Sequence, residues 1–269
     1  NWIDIGELKV RYLDWGGDGE PLVALHPNGF CAGMYDPLVA RLGDHYRVVG
    51  VDLRGHGASE TVTDEARLGN DAMARDVLRV LDHLGIDRFA LLGVSLGGGV
   101  AVIIAAEAPQ RVVSLMLCEA IALDPGEREK QGVPFEGAES PLVAGARRRR
   151  RVWDDQAGVE ASYGSRPPLG ALDPEVLSAY VRWGFVDRSD GRIELACDPE
   201  TEASIFSTTR PNGPTHSFER LAEVRSLRGE LDDLRTQAAL GRADELAGTA
   251  LDGVVVALVD GIDRDGDLT

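Results

Sequence analysis

A chain of 269 residues, 43% hydrophobic and 27% charged, suits one large domain or one domain with an insertion, and is too long for a stapled mini-protein. Its 28 Lys and Arg against 45 Asp and Glu leave a net charge of −17, which repels phosphate backbones and argues against nucleic acid as a partner. No apolar run reaches the roughly 20 residues that cross a bilayer. The opening Asn1-Trp2-Ile3 carries no basic-then-apolar leader, so neither a membrane association nor a signal peptide is expected. Cys31, Cys118 and Cys197 are too few and too scattered for a disulfide framework or a zinc site. They suit a reducing compartment, and a cytoplasmic location is expected.

In chain order, Ile3 to Ile5 and Leu8 to Leu13 read as a short antiparallel entry turned at Gly6. Pro21 to His26 is a continuous apolar run, as in a strand buried on both faces. A helix is predicted over Met34 to Leu42 and a second buried strand over Tyr46 to Val51. From Asn70 to Leu84 the apolar residues Met73, Val77, Val80, Leu81 and Leu84 keep the helical period, with Asn70 as cap and Gly85 as stop. Phe89 to Val94 reads as a strand, residues 96–108 as an almost wholly apolar helix halted by Pro109, and Val112 to Cys118 as another strand. This alternation predicts a parallel sheet covered on both faces. After Glu119 the rhythm breaks. Residues 120–215 hold Pro- and Gly-rich breaks and helical patches such as Pro174 to Phe185, with no clear buried strand, and read as a helical insertion over the sheet. The sheet pattern returns poorly, with Val254 to Val259 the one convincing late strand.

Gly93-Val94-Ser95-Leu96-Gly97 is G-x-S-x-G between a predicted strand and a predicted helix. In that setting Ser95 sits on a sharp turn in strained φ/ψ. Glycines two residues either side remove Cβ atoms that would clash, and the turn lifts Oγ off the sheet. His26-Pro27-Asn28-Gly29-Phe30 follows a strand, as does Asp52-Leu53-Arg54-Gly55-His56-Gly57-Ala58-Ser59. With these three motifs the chain resembles the α/β-hydrolase fold family, in its branch of serine esterases, cofactor-free haloperoxidases and epoxide hydrolases. The resemblance is close over about residues 1–120 and weaker beyond. It implies a mostly parallel central sheet flanked by helices, with core segments 1–119 and 216–269 and a helical cap over 120–215.

The resemblance also implies roles. Ser95 is the nucleophile. The backbone N–H groups of Leu96 and of the loop after His26 form the oxyanion hole, the latter at Asn28 by ungapped spacing, with Phe30 as second choice. Pro27 replaces the usual glycine and stiffens that loop. His26 and His56 are structural. Gly229-Glu230-Leu231-Asp232 is similar to the family's G-x-x-D, which makes Asp232 the acid, ahead of the adjacent Asp233 and of Glu230, with Glu119 as a fallback. The histidine should follow the last strand, where Gly261-Ile262-Asp263-Arg264 stands, and no histidine follows His216. Three readings stay open: residues missing from the recorded last third, a truncated and impaired protein, or His216 as an out-of-order base. The first is preferred, because the weak strand near Leu227 and the missing last helix look like gaps, and a break near Asp263 and Arg264 is expected.

His45 and His83 lie in a helix-exit segment and on a polar helix face, and Cys31 reads as a small packed residue rather than a second nucleophile. The insertion gathers Trp153, Tyr163, Tyr180, Trp183, Phe185 and Phe206. These suit a cap core first and an apolar acyl pocket second. Arg147 to Arg151 is a basic run, read first as a solvated helix face balancing the acidic surface, and otherwise as a seat for a carboxylate substrate or for a partner's acidic surface. The expected activity is a serine hydrolase acting on a small-molecule ester or lactone through an acyl-enzyme on Ser95, with no cofactor and no metal. A homodimer is left open. The alternative is a catalytically impaired hydrolase-fold protein that binds a small ligand or partner.

Overall fold

The computed structural model describes residues 1–123, 140–207 and 212–224. A six-stranded sheet is built from β1 (Trp2–Asp4), β2 (Lys9–Asp14), β3 (Glu20–Leu25), β4 (Tyr46–Val51), β5 (Phe89–Val94) and β6 (Val112–Cys118), in the spatial order β1-β2-β4-β3-β5-β6. β1, β2 and β4 pair antiparallel, while β4, β3, β5 and β6 pair parallel. Gly6 takes φ 85° at the turn between β1 and β2.

The continuous apolar strands follow from burial on both faces. Along β3, Val23 and Leu25 face one cluster and Ala24 the other; along β4, Val49 and Val51 oppose Val48; on β5, Leu91 opposes Leu92. The first face packs on α2 (Asn70–His83) and α3 (Leu96–Glu107) through Met73, Val77, Val80, Leu81, Val100 and Ile104. α3 lies between sheet and helices, so Leu96 to Ala105 are all buried, and its apolar sequence needs no polar side.

The second face is covered by α1 (Asp36–Leu42) with the preceding 3-10 turn Ala32–Tyr35, and by the insertion. Met34 to Leu42 is thus two pieces rather than one helix, because Pro37 sits in the first turn of α1 and has no N–H to continue the preceding one. The insertion contains α4 (Pro141–Arg147), α5 (Gln156–Gly164), α6 (Pro174–Trp183) and α7 (Pro199–Phe206). It also holds an antiparallel three-stranded sheet of β7 (Val152–Trp153), β8 (Phe185–Asp187) and β9 (Ile193–Leu195). These strands of two or three residues are too short to show an alternation, so the sequence reading of a purely helical insertion misses them.

Trp153, Tyr163, Tyr180 and Phe185 join Ala24, Val48 and Leu92 in one buried cluster, so this part of the insertion shares its core with the sheet. Asp36 ties the two together by accepting the indole N–H of Trp15 at 2.9 Å and of Trp183 at 2.7 Å. The Trp183 ring occupies the space that a Cβ on Gly33 would need. α8 (Pro214–Leu221) returns to the first face and packs on α3. Asn70 does not cap α2. Gly69 holds the cap position, and the Asn70 amide donates instead to Ser217 Oγ of α8 at 2.8 Å. Among the described residues no helix is long and apolar enough to cross a membrane.

Candidate active site

β3 connects through α1 to β4 on one side, and β4 then connects through α2 to β5 on the other. The carboxyl ends of β3 and β5 therefore border the point where the strand order reverses, the crevice in which open parallel sheets bind ligands. Leu25 pairs with Gly93, so the loop 26–30 and the turn at Ser95 leave the sheet side by side. Gly97 N–H donates to His26 O at 3.2 Å and fastens the two together.

Ser95 takes φ 54° and ψ −114°, one of three described non-glycine residues with positive φ. Such a geometry costs of order 1–3 kcal/mol and persists only where the surroundings impose it. Here the surroundings are glycines. A Cβ on Gly93 would meet Gly97 O at 2.5 Å, and one on Gly97 would meet Leu25 O and Leu25 Cβ. Ser95 is half-buried, and its Oγ makes no hydrogen bond among the described residues. Its backbone is held by Ser95 N–H to Cys118 O at 2.9 Å and Ile121 N–H to Ser95 O at 3.0 Å.

Two backbone donors border this turn without a partner among the described residues: Leu96 N–H at the start of α3, and Asn28 N–H in the loop. Phe30 N–H is already bonded to Pro27 O at 3.2 Å, so the second-choice donor is occupied. The Asn28 side chain fixes the loop from both ends, its Nδ2 donating to Glu202 O at 2.9 Å and its Oδ1 lying 3.0 Å from His56 Nε2.

His26 and His56 serve structure, as the sequence suggested. Leu53 N–H donates to His26 Nε2 at 3.0 Å, so the ring proton sits on Nδ1, which donates to Pro27 O at 2.7 Å. Complete burial pushes His26 down to about 4 and, with His26 nearby, His56 down to about 3. Both are neutral at pH 7. The single proton of neutral His56 serves either Asn28 Oδ1 or Arg54 O, which lies 3.1 Å from Nδ1. Asp52, fully buried, holds the neighbouring backbone. Its carboxylate accepts from Ala32 N–H at 2.7 Å, Ala58 N–H at 2.9 Å and Arg11 Nη1 at 3.0 Å. Arg54 is paired in a two-pronged bridge with buried Asp76, at 2.7 Å on each oxygen.

A clamp from the insertion completes the loop. Tyr180, fully buried, donates its hydroxyl to Gly29 O at 3.0 Å and accepts from Arg149 Nη2 at 2.6 Å. Arg149 in turn pairs with Glu202 at 2.6 Å, whose backbone carbonyl receives Asn28. The basic run is mostly neutralised: Arg147 meets Glu200 and Arg151 meets Asp198, each at 2.6 Å. Sequence reasoning had no signal for the clamp, because Tyr180 and Gly29 are 151 positions apart.

Of the remaining candidates, His216 lies in the first turn of α8. Its Nδ1 is 3.8 Å from Glu219 on the same helix, and no hydrogen bond joins it to Ser95 among the described residues. The adjacent Ser217 hydroxyl donates to Gly99 O at 2.9 Å, which keeps α8 against the first turns of α3. Glu119 follows the last residue of β6 next to the Ser95 turn, exposed and at φ 48°. Asp232, Asp233, Glu230 and the segment at Asp263 and Arg264 lie outside the described residues. Cys31 is fully buried, and burial together with nearby Asp52 pushes its thiol well above the usual range, which leaves no thiolate to attack. His45 and His83 are exposed and away from the crevice. No group of three or more metal-binding side chains occurs among the described residues.

Two outcomes follow from this geometry. Both histidines titrate lower folded than unfolded, so the unfolded chain binds more protons below pH 6.5. The associated stability is complete above that pH and falls as pH drops toward 4, by about 1.4 kcal/mol per pH unit for each histidine. Urea midpoints measured at pH 7 and pH 5 should fall steeply for the wild type and less for His56→Gln; equal slopes would refute the buried neutral state of His56. Tyr180→Phe removes the bond to Gly29 O and one acceptor of Arg149, and should cost about 1–3 kcal/mol in urea unfolding.

The sequence pattern of the alpha/beta hydrolase fold family matches residues 20–139. The chain is 33% identical over 201 residues to a serine hydrolase-like protein of Danio rerio, covering 71% of this chain and 60% of that one. It is 31% identical over 116 residues to haloalkane dehalogenase 2 of Mycobacterium tuberculosis, covering 43% of this chain and 40% of the relative. It spans only 30–38% of the length of three further curated relatives. Among solved structures, the thioesterase domain from the curacin biosynthetic pathway superposes with a TM-score of 0.62 at 18% identity, over 84% of this chain and 79% of that one, a likeness of fold. Strand order, serine turn and sequence match together give the chain the alpha/beta hydrolase fold.

Proposed function

We propose that the chain is a serine hydrolase that cleaves a carboxylic ester or lactone through an acyl-enzyme on Ser95. The observation that carries this reading is Ser95 itself: a strained, half-buried serine at the switch crevice whose Oγ engages nothing among the described residues. A serine held for packing alone has no need of that backbone. The names of two relatives in fold or sequence, a serine hydrolase-like protein and a thioesterase domain, agree with acyl transfer at such a site.

In this reading Ser95 Oγ attacks the carbonyl carbon as its proton passes to a base. The carbonyl oxygen becomes an oxyanion held by Leu96 N–H and Asn28 N–H, the latter positioned by His56, Glu202 and the Tyr180 bond to Gly29. The C–O bond to the alcohol then breaks, and the alcohol leaves with the proton. Water attacks the acyl-enzyme, releases the acid and restores Ser95. Losing one oxyanion donor costs about 2.7–4 kcal/mol in comparable sites. Asp232 is the acid that orients the base, with Glu119 as the alternative at the end of β6.

One observation favours the second reading, an impaired hydrolase fold that binds without turnover: the His216 ring lies toward Glu219 and is not bonded to Ser95. Two measurements decide. A fluorophosphonate probe should label Ser95 and p-nitrophenyl esters should be turned over; Ser95→Ala should abolish both, and labelling that survives would place the nucleophile elsewhere. His216→Ala should change kcat by less than about threefold. A loss of several orders of magnitude would instead make His216 the base.

A further inference from the structure

A cavity of about 660 Å³ is lined by Asn28 and Phe30 of the loop after β3 and by the insertion. That is within the range of small-molecule sites, about 300–1,000 Å³. Its apolar walls come from Leu142, Trp153, Leu169 and Phe206. Against these stand four arginines, Arg148, Arg149, Arg150 and Arg166, and one carboxylate, Glu202.

The four are not equally neutralised. Arg149 is paired with Glu202 at 2.6 Å. Arg150 lies over the Trp153 ring at 4.4 Å and reaches exposed Asp154 at 3.8 Å. Among the described residues the Arg166 guanidinium meets a neutral hydroxyl, Ser162 Oγ, at 3.3 Å and no carboxylate. Arg148 is exposed; its backbone N–H caps the preceding helix at Ala144 O and Gly145 O, and its guanidinium makes no hydrogen bond or ion pair among the described residues. A local surplus of positive charge over apolar walls, in a protein of net charge −17, is the chemistry that recognises an amphipathic anion. Guanidinium groups bind a carboxylate in two-pronged fashion, and the apolar walls suit the chain that carries it.

We propose that this cavity receives an acyl group that ends in a carboxylate, so that the substrate is a half-ester of a dicarboxylic acid whose free carboxylate is met by Arg148 and Arg166. The ester part rests on the reading of Ser95 above; the anion site does not. Asn28 connects the two, since it lines the cavity and carries the proposed oxyanion donor.

The test separates the two parts. Hexanoate and its neutral isostere hexanamide are titrated calorimetrically into the full chain, into Ser95→Ala, and into the double variant R148A/R166A, with circular dichroism to confirm folding. Wild type and Ser95→Ala should bind hexanoate at least about tenfold tighter than hexanamide, and the double variant should lose that preference, a change of about 1.4 kcal/mol. R148K/R166K, which keeps the charges, should retain part of it. No binding of hexanoate, equal binding of the amide, or a preference untouched in R148A/R166A would overturn the anion site, whatever the ester assays give. In the kinetic arm, kcat/KM for mono-p-nitrophenyl glutarate relative to p-nitrophenyl butanoate should exceed one and fall about tenfold in R148A/R166A. Arginine-dependent hexanoate binding without that ester preference would overturn the substrate assignment. Failure to turn over any ester would sink the hydrolase reading and leave the hexanoate result to decide the cavity.

Discussion

The site depends on how closely α3 approaches the end of β3. Gly97 N–H donates to His26 O at 3.2 Å, and the space in front of Gly97 is filled by Leu25. Any side chain at that position would push the helix away from the strand. The parallel pairing of Leu25 with Gly93 would then no longer set the loop 26–30 beside Ser95. Backbone strain at Ser95, the orientation of Leu96 N–H and the position of Asn28 all follow from that one contact. A helix start pressed against a strand end also aims the positive end of the helix dipole at the crevice, where it favours negative charge.

Around this contact the protein buries polar groups rather than excluding them. Asp52, His26, His56, Asn28 and Arg54 are each at most 4% exposed, and each has hydrogen-bonding partners. A loop without regular structure has no backbone ladder, so its carbonyls and N–H groups need side-chain partners to be buried at low cost. The histidines suit this role because a neutral imidazole is both donor and acceptor, and burial keeps it neutral. Arg149 and Glu202 extend the same logic into the insertion. Removing either partner would strand a buried charge, which costs more than the pair contributes. The insertion is therefore part of the loop's support as well as a cover.

Much of the core was legible because its signals are local. Buried parallel strands announce themselves as apolar runs, and β3 to β6 fall within about a residue of their predicted ranges. G-x-S-x-G requires positive φ at its centre, and Ser95 has it. What escaped the sequence depends on distant partners. Asn70 looks like a cap until Ser217, 147 residues later, is folded against it and draws its amide away. The strands β7, β8 and β9 carry too few residues for a period to emerge, and their pairing is set by the packing of Trp153, Phe185 and Ile193 on the sheet's second face. Met34 to Leu42 kept a helical pattern across a proline that divides it. Asp232, expected as the acid, and the stretch at Asp263 and Arg264 fall outside the described residues, so the site is described from the Ser95 turn and the loop 26–30.

Charge acts on this molecule at two ranges. At physiological ionic strength the Debye length is about 8 Å, so the surplus of acidic residues over the surface is felt by an approaching anion only in the last few ångströms. Around the cavity itself four arginines stand against one carboxylate, Glu202, so the local balance is positive. A net charge of −17 and a locally cationic pocket are therefore compatible, because screening weakens the first far more than the second. The same reasoning explains why most of the basic run is paired with Glu200, Glu202 and Asp198 of α7 and its cap. An arginine neutralised within the protein organises the insertion, and one left facing the cavity is available to a ligand.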